Sequence, residues 1–144
     1  MVESIEHLLL NEHKRMINLL KEALKNIKHS PLFAEEFFIK FKWNLEKHFF
    51  MEEKTIFSNP AIENSEHSEE IEYILNEHKE ILNFIKSIEE NKDGLKENEF
   101  LHLIKLVEKH AQYEDEDFYP RLDEVLTAKQ KSIIISESRK ILQP

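Results

Sequence analysis

The stretch NEHKRMINLLK at residues 11–21 returns, little changed, as NEHKEILNFIK at residues 76–86. Asn11-Glu12-His13-Lys14 matches Asn76-Glu77-His78-Lys79, and the match continues through Asn18 with Asn83 and Lys21 with Lys86. A second pair lies downstream. Glu46-Lys47-His48 is followed by Glu52-Glu53, and Glu108-Lys109-His110 by Glu114-Asp115. Phe57 and Tyr119 each come nine residues after the histidine. The chain is therefore two similar halves, and its best-repeated positions carry histidine.

Working outward from the repeat, apolar residues recur at helical spacing. The first helix runs from about Val2 to Lys28, with Ile5, Leu9, Met16, Leu20, Ala23 and Ile27 on one stripe. Ser30-Pro31 opens a second helix to about Phe57, with the stripe Phe37, Phe41, Leu45, His48. A polar loop follows, with Ser65 or Ser68 as N-cap. The third helix reaches about Asn91 along Ile71, Leu75, His78, Ile81, Leu82, Ile85 and Ile88, and Gly94 stops it. The fourth uses Phe100, Leu103, Leu106, Val107, His110 and Phe118 and ends at Pro120. Thr127 and Gln130 have capping-box spacing and start a fifth helix to about Leu142. These elements predict an all-α fold: an antiparallel up-down four-helix bundle over residues 1–120 and a short C-terminal helix within 121–144. The Ile133-Ile134-Ile135 run fits either a cap on the bundle's open end or a joint between two subunits.

Composition agrees. The 144 residues include one Gly, four Pro and no Cys, with 40% hydrophobic and 34% charged residues. One glycine leaves little for hairpins and bulges. The lack of Cys excludes disulfides, thiolate metal sites and thiol nucleophiles. A net charge of −9 argues against nucleic acid or an anionic membrane as partner. No basic leader and no apolar run of membrane-spanning length is present. The expectation is a soluble, cytoplasmic protein. Eight histidines are the first sign of chemistry.

His13, His48, His78 and His110 all lie on the apolar stripes, and Glu52 and Glu114 extend them by one turn. They also share a level. His13 and His48 lie roughly 22 and 25 Å from the turn between their helices at ~1.5 Å per residue, and His78 and His110 are placed alike in the second half. Four imidazoles and two carboxylates thus converge in one layer of an apolar bundle. An uncompensated buried carboxylate costs several kcal/mol, and a cation removes that cost. This donor set suits Fe, Mn or Zn. Six ligand residues fit two ions, each held by two His, with the two Glu bridging. Such ions keep open or water-filled positions where a small molecule binds.

At these residues the chain resembles the hemerythrin-like family, the HHE cation-binding domains. The family pattern of His, His-x-x-x-Glu, His, His-x-x-x-Glu is matched by His13, His48 with Glu52, His78, and His110 with Glu114, across about residues 3–120. The resemblance implies a centre of two Fe ions inside a four-helix bundle, binding or sensing O2, NO or peroxide. Its alternative is a redox enzyme that reduces peroxide or oxidises ferrous iron, or a protein that handles iron. Oxygen carriers of the family have a further His one turn before the His of the third helix. The equivalent here is Ile74, which implies a more open and more symmetric centre and disfavours reversible oxygen carriage. Asp115 matches the carriers' His-x-x-x-x-Asp spacing. In a regular helix position i+5 turns away from the His, so Glu114 is the expected ligand and Asp115 would need a local bulge.

The other chemistry-bearing residues read as structural. His7, His29 and His67 lie off the stripes or in loops, and His102 lies only partly on the core face. Glu53, Glu116 and Asp117 read as solvated, and Glu12 and Glu77 as surface charges. Trp43, Phe49, Phe50, Tyr113 and Tyr119 read as core aromatics.

Overall fold

The computed structural model describes residues 3–63 and 66–143. The described residues form helices joined by short turns, with no strand among them. Four long helices dominate: α1 (Ile5–Asn26), α2 (Pro31–Met51), α4 (Ser68–Glu89) and α5 (Glu97–Tyr113). Short helices α3 (Pro60–Glu63) and α6 (Tyr119–Val125) lie between them and α7 (Ala128–Leu142). Two π-helical turns interrupt the regular pattern: π1 (Glu52–Phe57) continues α2, and π2 (Glu114–Phe118) continues α5. No helix among the described residues is long and apolar enough to cross a membrane.

The helix ends follow from local chemistry. Ser4 accepts from the His7 amide, and Asp123 of α6 accepts from the amides of Ile5 and Glu6, both at 3.0 Å. These bonds satisfy the otherwise open N–H groups of α1. The capping box expected at Thr127 and Gln130 is present. Gly94 has φ of 85° in the turn before α5, a conformation that glycine adopts without a Cβ clash. Ser68 is the first helical residue of α4 rather than its cap. The start at Val2 and the alternative cap Ser65 fall outside the described residues.

Packing divides the interior into two apolar regions. One gathers Ile5, Leu9, Met51, Ile56, Ile71, Ile74, Phe118 and Leu122 with Ile134 and Ile135 of α7. The other gathers Met16, Leu20, Phe38, Phe41, Leu45, Ile81, Ile85, Phe100 and Val107. Between them, in sequence along every long helix, lies one polar layer: His13, His48 with Glu52, His78, and His110 with Glu114, all buried. α1 packs on α2 and α5, α4 on α5, and α7 on α2, π1 and α1. Ile134 and Ile135 are buried while Ile133 is half exposed. The Thr55 and Ser138 hydroxyls meet at 3.0 Å between π1 and α7.

Several expectations need correction. The fourth helix does not end at Pro120. Helical structure runs through π2 and on to Val125, with Pro120 the second residue of α6 where the π turn gives way to it, a first-turn position that proline tolerates. The loop after π1 contains α3. Phe38, not Phe37, is the buried member of the α2 stripe. Trp43 and Phe50 are not core residues: they are 68% and 57% exposed. α2 carries apolar residues on nearly all sides, so periodicity alone could not choose its inner face.

Candidate metal centre

Each site residue owes its position to its helix. His13 and His78 come from the middle of α1 and α4, where the apolar stripe faces inward. His48 and His110 sit in the last turn of α2 and α5, and Glu52 and Glu114 open the π turns that follow. Phe49 stacks on the His78 ring at 3.7 Å and meets His110 edge-on, fixing both imidazoles from the apolar side.

All six residues chosen from sequence come together. Glu114 reaches both halves: Oε1 lies 3.0 Å from His13 Nε2 and Oε2 lies 3.1 Å from His110 Nε2. Glu52 offers one oxygen to both halves, with Oε1 at 3.1 Å from His48 Nε2 and 3.4 Å from His78 Nε2. Its Oε2 accepts a short hydrogen bond from the buried Tyr119 hydroxyl. The Nε2 atoms of His13 and His48 face each other at 3.1 Å. Two groupings of these atoms are tight enough to hold a metal ion: Glu52, His78, His110 and Glu114, and His13, His48 and Glu114.

The outer faces of the imidazoles carry a second set of carboxylates. Asp115 meets His13 Nδ1 at 2.8 Å, Glu53 meets His78 Nδ1 at 3.0 Å, and Glu77 meets His110 Nδ1 at 2.8 Å. A carboxylate only accepts, so these three imidazoles donate Nδ1–H and, when neutral, turn a bare Nε2 lone pair inward. His48 Nδ1 is buried without a partner.

The π turns explain this double use. Hydrogen bonding from i to i+5 adds a residue to the turn, so consecutive carboxylates can face the same neighbouring ring. Glu52 and Glu53 take the two nitrogens of His78, and Glu114 and Asp115 take those of His13. Each π turn thus grips an imidazole from the other half of the repeat. The bulge that Asp115 would require is present, yet Glu114 is the residue that points inward. Asp115 holds the outer nitrogen.

Electrostatics point the same way. Burial opposes charge on His13, but the carboxylates of Asp115 and Glu114 against its two ring nitrogens outweigh it and lift its pKa to about 9. For His110, burial is outweighed by Glu114 and Glu77, raising it well above the usual value. His78 is raised by Glu52 and Glu53 against burial. Burial would raise the Glu52 pKa, but His48 and His78 hold it well below the carboxylate range. With the imidazoles neutral, acceptors confront acceptors here: Nε2 of His78 and His110, Oε1 of Glu52 and both Glu114 oxygens are buried without a well-formed hydrogen bond. A metal ion among them would give these atoms partners, and imidazole–carboxylate donors fit first-row divalent ions.

Sequence reasoning missed Glu53, Glu77 and Tyr119. Glu77 recurs with Glu12 in the repeat, a signal that was legible. Tyr119 aligns with Phe57 and read as a packing residue. The remaining histidines behave as expected, except that His67 is buried, edge-on to Phe118. Tyr113 donates to Glu70 at 2.6 Å rather than toward the cluster.

A family model described as the hemerythrin HHE cation binding domain matches residues 4–122. No curated protein and no solved structure matches the chain.

Proposed function

The chain belongs to the hemerythrin HHE cation-binding domain family, and from that premise we propose that its polar layer is a di-iron centre that binds or senses a small molecule, O2, NO or peroxide. His13 and His48 would hold one ion and His78 and His110 the other, with the Glu52 and Glu114 carboxylates between them as shared ligands. The observation that carries this reading is the set of buried, partnerless acceptor atoms converging from four helices.

When bound, iron supplies open coordination positions and a reversible change of oxidation state. The chain supplies the rest. Asp115, Glu53 and Glu77 fix the imidazole tautomers and orientations. The apolar regions on either side exclude bulk water. Full burial of the donors limits the incoming ligand to a few atoms. We read the scaffold as an antiparallel up-down bundle over residues 1–120, with 121–144 packed on it. The order in which α1 and α4 meet the two apolar regions, reversed in α2 and α5, supports that topology.

A second reading, a redox enzyme acting on peroxide or ferrous iron, draws on the Tyr119 hydroxyl against Glu52. It places a buried proton donor beside the centre. Anaerobically reduced, iron-loaded protein should change its optical spectrum on meeting O2 or NO. Catalytic consumption of H2O2 or Fe(II) without a stable adduct would favour the enzyme. No response to any of them would remove both readings.

A further inference from the structure

The repeat makes a strong prediction that the structure breaks at one place. If the halves were equivalent, Glu12 would hold His48 as Glu77 holds His110. Glu77 does accept from His110 Nδ1 at 2.8 Å. Glu12 instead pairs with Arg15 at 2.7 Å, three residues on along α1, and His48 Nδ1 is left buried without a partner. The repeat position of Arg15 is occupied by Glu80, which cannot draw Glu77 away. The donor sets differ too. Four residues converge around the His78–His110 half, and three around the His13–His48 half.

We propose that the two metal positions are unequal: the His78–His110 half fills first and tightly, the His13–His48 half is the weaker, exchangeable position, and Arg15 sets the difference as a positioning residue by holding Glu12 off His48. This rests on the six-ligand reading above. The physical reason is the outer hydrogen bond. A carboxylate on Nδ1 orients the ring and makes Nε2 a stronger donor, and loss of such a partner costs about 10–100-fold in metal affinity. Three of the four imidazoles have one, and His48 does not. The weaker half is also the one from which an ion can leave or be replaced without dismantling the whole centre.

The test is an anaerobic titration of the metal-free full chain with cobalt(II), followed by its visible absorption and by competition with a chelator. The wild type should bind two ions in separate steps, the second about 10–100-fold more weakly. Glu77→Gln should weaken the first step by a similar factor and merge the two, while Glu12→Gln should change the second by less than about twofold, because Glu12 does not touch His48. Arg15→Ala, at an exposed position, should tighten the second step several-fold, and adding Glu12→Gln should cancel that gain. A merely structural role for Arg15 gives no such cancellation. Two ions of equal affinity, or a loss from Glu12→Gln as large as from Glu77→Gln, overturns the inequality while leaving the ligand set intact. A wild-type chain that takes up no cobalt overturns the ligand set and the inequality with it.

Discussion

Asp115→Ala removes the carboxylate that His13 Nδ1 meets at 2.8 Å. The pair is well shielded, with the His13 side chain 4% exposed and that of Asp115 14%. A hydrogen bond to a charged group in such a setting contributes about 1.5–3 kcal/mol. Transmitted to the ring's outward-to-inward axis, that corresponds to about 10–100-fold in the affinity of the ion held by His13. Asp115→Asn keeps an acceptor at the same place but loses the charge, so it should cost about tenfold or less. The assay is competition between the protein and a chromophoric chelator at fixed pH, resolving the two ions. The ion on the His78–His110 side should hold its affinity within about twofold, since Asp115 touches neither ring and distant effects are small. Simultaneous loss of both ions would refute the reasoning, because it would make Asp115 the inward bridge in place of Glu114. Affinities unchanged within about twofold would refute the outer-carboxylate argument itself.

Tyr119→Phe removes the donor to Glu52 Oε2 while keeping a ring of the kind Phe57 already supplies at the repeat position. Metal-free stability should fall by about 1.5–3 kcal/mol in denaturant titration, and the metal-loaded spectrum should shift as Glu52 gains freedom. In the metal-free chain the His13 pKa is about 9 folded against 6.5 unfolded. Its contribution is therefore complete below pH 6.5 and is lost as the pH rises through 9. Thermal melts across that range should show a falling Tm, with a shallower fall in His13→Gln. Phe41 is fully buried, and Phe41→Ala should cost about 3–5 kcal/mol while leaving the number of bound ions unchanged, because Phe41 belongs to the apolar region beside the centre.

The six inward residues were legible because each sits where a 3.6-residue period places the core, and because the sequence writes them twice. Of the carboxylates outside them, Glu77 is flagged by the repeat, but Glu53 and Asp115 are not. Regular helical geometry turns Glu53 and Asp115 about 100° from their neighbours and assigns them to solvent. Only the π turns bring Glu52 with Glu53, and Glu114 with Asp115, onto single imidazoles. Nothing local in the text announces a π turn. The exposed Trp43 and Phe50 were misplaced for a different reason: α2 is apolar nearly all round, so hydrophobicity carries little directional information there. Tyr119 shows the opposite risk of a repeat. Its alignment with Phe57 argued for packing alone, and the hydroxyl that distinguishes the two halves was passed over. Arg15 is the same lesson, since the difference from Glu80 matters more than the surrounding identity.

Iron content per chain, measured with the optical spectrum after anaerobic Fe(II) loading and exposure to air, tests the central claim most directly. The account predicts two irons per chain, with near-ultraviolet charge-transfer bands of a bridged ferric pair, and loss of those bands in Glu114→Leu. A single iron, or none, from a folded wild-type chain under iron-replete loading would contradict it.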